Sequence, residues 1–136
     1  MSLAEKIQII DRELLSDDRG WFLKVMTGFE DKLPPRTGEI YLSMAGPGRW
    51  KANHYHLTTS EWFTLFAGQV KVILEDILTK ERLELSMNAA EPKTLFVPPG
   101  IAHIFINESK DTEMILLVYS ENTYDPSDTV FYDLSN

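Results

Sequence analysis

The stretch Gly48-Arg49-Trp50-Lys51-Ala52-Asn53-His54-Tyr55-His56-Leu57-Thr58-Thr59-Ser60-Glu61-Trp62-Phe63-Thr64-Leu65-Phe66-Ala67-Gly68 decides the fold. It carries two of the chain's three histidines. The third stands in Pro98-Pro99-Gly100-Ile101-Ala102-His103-Ile104-Phe105-Ile106-Asn107. Residues i and i+2 of a strand face the same side, so His54 and His56 aim together into one interior. Glu61 lies an odd number of residues beyond His56 and would face the other way on one unbroken strand. The short polar Leu57-Thr58-Thr59-Ser60 turns the chain. Glu61 then returns on the next antiparallel strand, facing the same pocket. His103 arrives from a distant strand, after a Pro-Pro-Gly turn. Three imidazoles and one carboxylate are a typical ligand set for a divalent transition metal. The plainer reading is a group of buried, hydrogen-bonded polar residues. That reading leaves unexplained why every histidine falls in these two segments.

Strand patterns flank the stretch on both sides. The composition predicts strands at Ile7–Ile10, Trp21–Thr27, Glu39–Ala45, Lys51–Tyr55, Glu61–Ala67, Gln69–Asp76, Glu81–Ser86, Thr94–Val97, Ile101–Asn107 and Met114–Ser120. Turn residues separate them: Asp17-Asp18-Arg19-Gly20, Pro34-Pro35, Gly46-Pro47-Gly48, Gly68, Pro98-Pro99-Gly100 and Asp125-Pro126. Many short strands with regular turns point to an all-β sandwich or barrel. No long helical period occurs, and a short helix within Ala4–Leu15 is the only helical expectation. With no repeat, linker or low-complexity tract, the 136 residues are expected to form one domain.

Composition narrows the function. A net charge of −8 makes a nucleic acid an unsuitable partner. A small anion needs only a few local cations, such as Arg19, Lys24, Arg49 or Lys51. The absence of cysteine excludes disulfides and thiolate chemistry. No apolar run reaches the roughly 20 residues that span a bilayer, and no secretory leader is visible. The expectation is a cytoplasmic protein with no membrane partner.

The two histidine segments closely resemble the paired motifs of the cupin superfamily. Gly48, His54, His56, Glu61 and Gly68 match the first, and Pro98, Gly100, His103 and Asn107 match the second. Pro92 stands where the second motif opens with glycine. The resemblance implies a double-stranded β-helix, a jelly-roll barrel with core at 38–120, and a metal held by His54, His56, Glu61 and His103. From about Gly38 onward, Gly48–His56, Val97–Asn107 and Tyr124–Phe131 resemble the C-terminal cupin domain of capsular-polysaccharide reductase–epimerases. That likeness implies zinc, with iron, manganese and nickel as the other metals such ligands take. Asp18-Arg19-Gly20-Trp21-Phe22-Leu23 resembles the opening of deoxysugar-nucleotide 3,5-epimerases. There the Arg and the following aromatic help hold a nucleotide diphosphate, which casts Arg19 and Trp21 as ligand-binding. Lys51 falls on an arginine of that family and His54 on its catalytic histidine. The catalytic tyrosine of that family would fall near Leu116. These families also imply a homodimer, with residues 1–30, in particular Ile7–Ile10 and Trp21–Val25, at the interface.

The reading of function is therefore an epimerase or keto-isomerase acting on a nucleotide-linked 4-keto sugar. The catalytic candidates are His54, Glu61 and Tyr119. A base removes a proton beside the ketone and an acid returns one to the other face. If the three histidines hold metal, Glu61, a metal-bound hydroxide or a tyrosine is the base; otherwise His54 is. Tyr41, Tyr119 and Tyr124 are candidate acids, and each singly also reads as structural. For Arg19 the plainer role is pairing with Asp17 or Asp18. Lys51 sits at an odd offset from His54, so it points away from the metal unless the chain bends after Gly48. The competing readings are a metal-dependent dioxygenase or other small-molecule isomerase, and a non-catalytic sugar- or metabolite-binding cupin.

Overall fold

The computed structural model describes residues 1–35 and 38–135. The chain opens with one capped helical turn, α1 (Leu3–Lys6), in which Ser2 and Glu5 form a reciprocal capping box. The strands follow as β1 (Gln8–Asp11), β2 (Leu14–Asp17), β3 (Gly20–Leu23), β4 (Glu39–Ala45), β5 (Trp50–His56) and β6 (Glu61–Ala67). They continue as β7 (Gln69–Asp76), β8 (Arg82–Asn88), β9 (Lys93–Val97), β10 (Ile101–Ile106), β11 (Met114–Ser120) and β12 (Thr129–Phe131).

Two five-stranded antiparallel sheets face each other, in the orders β1-β9-β6-β11-β4 and β12-β5-β10-β7-β8. This is the expected cupin jelly roll. The side-chain alternation of each strand feeds the core between the sheets. Phe63 and Leu65 of β6 point in, as do Leu95 and Val97 of β9 and Leu116 and Val118 of β11. From the other sheet come Val70, Val72 and Leu74 of β7 and Phe105 of β10. Gly68 makes the corner where the chain leaves β6 of one sheet for β7 of the other. It has φ +88°, and a Cβ there would lie 2.5 Å from the Glu113 carbonyl oxygen, so only glycine fits. The motif's missing glycine costs nothing at Pro92. Its carbonyl accepts from Arg12 N at 2.8 Å, which joins the turn to the end of β1.

Several elements differ from the sequence reading. The strand expected over Trp21–Thr27 runs only from Gly20 to Leu23, because it pairs with the short β2 alone in a hairpin outside both sheets. The following segment is fixed by a buried ion pair, Arg12 Nη2 to Glu30 at 2.9 Å, instead of by ladder bonds. The stretch around Ile7–Ile10 was expected to serve a partner; it pairs with β9 of its own chain, Ile10 opposite Thr94. The barrel therefore reaches beyond 38–120 at both ends. At the C-terminal side, β12 adds to β5, with Thr129 opposite His56 and Phe131 opposite His54. Beyond it, Leu134 is fully buried with Ile73, Ala102 and Ile104 on the outer face of the second sheet. None of the helices is long and apolar enough to cross a membrane, among the described residues.

Candidate metal centre and ligand cleft

His54 and His56 project from β5 into the space between the sheets, two residues apart as the strand period requires. His103 on β10 is the ladder partner of His54, so its ring joins them from the neighbouring strand. Glu61 opens β6 in the facing sheet. The turn at 57–60 thus carries the chain across the core instead of into a paired neighbour of β5, and the carboxylate meets the imidazoles from the opposite side. One ligand atom from each of the four residues lies within 4.8 Å of the others.

The donor set fits a metal on its own chemistry. His103 Nδ1 lies 3.0 Å from the Ile101 carbonyl oxygen, which fixes the proton there and leaves Nε2 with its lone pair directed inward. His56 Nδ1 lies 3.2 Å from Thr129 Oγ1 and 3.8 Å from the Asp128 carboxylate. The Nε2 atoms of both rings are buried and lack a hydrogen-bond partner. His56 Nε2 is 2.8 Å from Glu61 Oε1, but the contact is not aligned as a hydrogen bond. Buried unpaired nitrogens are costly, and a shared cation is one group that satisfies several at once.

Protonation follows the same geometry. Burial first, then the neighbouring His103 and His56, pushes His54 down to about 3, so it is a neutral ring with a free lone pair. Burial also lowers His103. Burial opposes a charge on His56 too, but its contact with Glu61 outweighs this and raises it. For Glu61 burial works upward, and His56, His103 and the Tyr41 hydroxyl together bring the carboxyl below its ordinary range.

Above these residues opens a cleft of about 430 Å³, within the size range of small-molecule sites. Its inner wall is apolar, with Phe63, Phe105, Leu116 and Val118. Its rim is polar, with Lys51, Asn122, Tyr124 and Asp125. Leu116, near which the deoxysugar family's tyrosine was expected to fall, lies in this wall.

The structure sorts the remaining candidates by strand parity. Tyr119 does not reach the cleft. Leu116, Val118 and Ser120 of β11 line it, and Tyr119, one residue out of step, lies on the outer face with its ring stacked on Trp62 at 5.4 Å. Tyr41 takes the position that Tyr119 was expected to hold: its hydroxyl donates to Glu61 Oε2 at 3.1 Å. Burial first, and the Glu61 charge second, raise its pKa far above the ordinary phenol range. Lys51 does reach the rim. Ala52 and Asn53 have φ of +73° and +64°, and the β5–β10 ladder slips by one residue there, so Lys51 pairs with Phe105, on the cleft side. Arg19 and Trp21 lie on the β2–β3 hairpin and do not line the cleft of their own chain. Arg19 pairs with Asp17 at 2.7 Å, the plainer of its two readings. The sequence reading gave no role to Asp128. Its buried carboxylate accepts from Thr58 N, Thr58 Oγ1 and Thr59 Oγ1 and faces His56. The one available signal was the run Asp125-Pro126-Ser127-Asp128-Thr129, which reads as a simple turn.

Comparisons with known proteins agree with this architecture. The chain is 24% identical over 115 residues to a UDP-2-acetamido-2,6-beta-L-arabino-hexul-4-ose reductase of Pseudomonas aeruginosa. The match covers 85% of this chain and 29% of that protein, so the chain spans under a third of the relative's length. A dTDP sugar isomerase from Desulfovibrio desulfuricans G20 superposes with a TM-score of 0.82 at 20% identity, over 92% of this chain and 82% of that one. The capsular polysaccharide assembling protein CapF from Staphylococcus aureus superposes with a TM-score of 0.68 at 25% identity, over 90% of this chain and 33% of that one. The family model described as the polysaccharide biosynthesis C-terminal domain matches residues 15–132, which is nearly the whole barrel, and the chain belongs to that family.

Proposed function

We propose that this chain is a metal-binding cupin that epimerises or isomerises a nucleotide-linked 4-keto sugar. One observation carries the reading: His54, His56 and Glu61, with the buried His103 clustered beside them, line an open cleft in which Tyr41 donates to Glu61. The names of the structural neighbours, sugar isomerase and capsular polysaccharide assembling protein, support the substrate class.

A ketone acidifies the hydrogens on the carbons beside it. Removal of one proton sends the C–H electron pair to the carbonyl oxygen as an enolate, and protonation of the other face of that carbon inverts it. When bound, a divalent metal supplies a Lewis acid for such an oxygen; zinc is our choice, with iron, manganese and nickel compatible with the same donors. The residues do the rest. Glu61, held ionised by its neighbours, is the proton acceptor of the set. Tyr41 stays protonated across the neutral range, and its hydroxyl, which donates to Glu61, is the candidate acid that resupplies the proton Glu61 exchanges. Phe63, Phe105 and Leu116 exclude water from the reacting carbon. Lys51 offers a cation for a phosphate at the rim, which otherwise carries Glu39 and Asp125. A second cation comes, on this reading, from a second copy: Arg19 and Trp21 stand on a hairpin whose Leu15, Trp21 and Phe22 are more than half exposed.

The test joins two measurements. Elemental analysis should find about one divalent metal per chain, lost in the His54→Ala/His56→Ala double variant; equal metal in both removes the metal assignment. Incubation with 4-keto nucleotide sugars in deuterium oxide should place deuterium beside the ketone. Tyr41→Phe should slow this by about 10²–10⁴-fold, the range for a lost general acid, with metal content retained. Binding without exchange would make the chain a sugar-binding cupin, the role that Leu116 favours. Oxygen consumption would make it a dioxygenase.

A further inference from the structure

The cleft contains one cation among its described lining residues, and that cation faces inward because of one inserted residue. On a regular strand, Lys51 and His54 would point to opposite sides. Pairing on β10 shows what happens instead. His103 opposes His54, Ile104 opposes Ala52 and Phe105 opposes Lys51, so Asn53 has no partner of its own. Two left-handed residues in succession, Ala52 and Asn53, absorb it. A bulge of this kind shifts the facing of residues on its far side, so that Lys51 joins Ala52 in lining the cleft.

Left-handed backbone is unfavourable for most L-residues, with asparagine among the tolerant ones. The surroundings of Asn53 provide the rest. The residue is 3% exposed. Its side-chain Oδ1 accepts from Leu134 N at 2.9 Å, and its carbonyl accepts from Tyr132 N at 3.1 Å. Two residues beyond β12, Tyr132 and Leu134, thus fasten on one bulged asparagine, and the fully buried Leu134 anchors them.

We infer that Asn53 is a positioning residue: clasped by the Tyr132 and Leu134 amides, it holds the bulge that turns Lys51 into the cleft as its anion-binding group. The anion-binding half of this statement rests on the nucleotide-sugar reading above; the positioning half does not.

Two readouts on the full-length protein separate these halves. Cross-strand nuclear Overhauser contacts report register directly. Native protein should show Lys51 opposite Phe105. Asn53→Val, whose branched side chain disfavours positive φ, should straighten the strand and place Lys51 opposite Ile106. Asn53→Asp keeps the acceptor and tolerates the left-handed region, and should retain the native pairing. If Asn53→Val does not fold, Asn53→Gly serves, since it accepts the backbone angle but releases Leu134. It should lose protection of the Leu134 amide and weaken the Lys51–Phe105 contact. A Lys51–Phe105 pairing unchanged in the folded variant overturns the inference.

The second readout is calorimetry with uridine diphosphate. Lys51→Met should weaken binding about tenfold or more, the scale of one lost charged hydrogen bond. Asn53→Val should cause a similar loss, and adding Lys51→Met to it should cost little further. Equal losses from Lys51→Met in both backgrounds would show that Asn53 does not act through Lys51. No loss from Lys51→Met anywhere would refute the nucleotide role of Lys51, with the register result standing on its own.

Discussion

The three imidazoles titrate in unequal directions, and this gives the site a pH signature before any metal binds. His54 is held down to about 3 from an ordinary 6.5 by burial and by its two histidine neighbours. Burial lowers His103 from the same 6.5. Near pH 6 the unfolded chain therefore binds more protons at these two positions than the folded chain does. Stability must then fall as the pH drops below about 6.5 and keep falling toward the folded-state values. Glu61 adds to this slope, since a lowered carboxyl stabilises the fold above its ordinary 4.5 and loses that contribution on acidification. His56 opposes it: its raised pKa contributes stability below 6.5 that fades as the pH climbs through the folded value. With two histidines and a carboxylate against one histidine, the melting temperature of metal-free protein should decline from about pH 7 to about pH 4. His54→Gln should flatten that decline. A melting temperature independent of pH over this window would contradict the burial of neutral rings described above. At this scale the sequence spoke clearly about types and spacing: every imidazole and the carboxylate were legible. It picked Tyr119 where Tyr41 meets Glu61, because β4 and β11 present their tyrosines to opposite faces and parity depends on strand starts that composition does not mark.

At the scale of elements, the segment from Asp125 to Leu134 is a strap over the histidine strand. Asp128 is its pin. The carboxylate takes three hydrogen bonds from Thr58 and Thr59, at 2.5–2.8 Å, and so fixes the turn that throws Glu61 across the core. Asp128→Ala leaves two hydroxyls and one amide without that partner. Buried groups left unsatisfied cost about 1–3 kcal/mol each; because Thr58 is exposed and water replaces part of its loss, about 2–3 kcal/mol in total is expected from denaturant unfolding. A loss below about 0.5 kcal/mol would mean the turn holds itself. Metal affinity should fall as well, since Glu61 and His56 both depend on this pin for orientation. The strap was hard to foresee. Its contacts join residues some 70 positions apart, and a Pro-containing polar run carries no periodic signal. The same reason hid the bulge at Asn53: a one-residue insertion leaves the hydrophobic pattern intact and shows itself only in pairing. By contrast β6, β7 and β10 were read within a residue or so, because long alternating or continuous apolar runs bounded by Gly and Pro mark their own limits.

At the scale of the whole molecule, two surfaces remain uncovered. Edge strand β4 turns Ile40, Leu42 and Met44 outward, each at least half exposed. The β2–β3 hairpin carries Trp21 and Phe22 at 60% and 56% exposure, touching neither sheet through ladder bonds. Apolar patches and free edges of this kind suit contact between subunits. A homodimer is therefore expected by light scattering at micromolar concentration. Trp21→Asp/Phe22→Asp should shift it toward monomer and, if Arg19 serves a neighbour's cleft, weaken uridine diphosphate binding with metal content unchanged. A monomer in the native protein would count against both expectations. Composition made the barrel legible, yet the N-terminal residues were assigned to a partner when β1 completes its own sheet at β9. An edge strand looks the same in sequence whichever chain supplies its neighbour.

The pairing of β12 with β5 has a consequence during synthesis. Thr129, which braces the His56 ring, leaves the ribosome 73 positions after it. At about 5–20 residues per second, those positions take roughly 4–15 seconds to appear. Throughout that interval the nascent histidine strand lacks its outer neighbour, its ring brace and the clasp on Asn53. On the proposed metal-binding reading, a chain stalled or truncated before Thr129 should emerge as an empty barrel even where metal is plentiful.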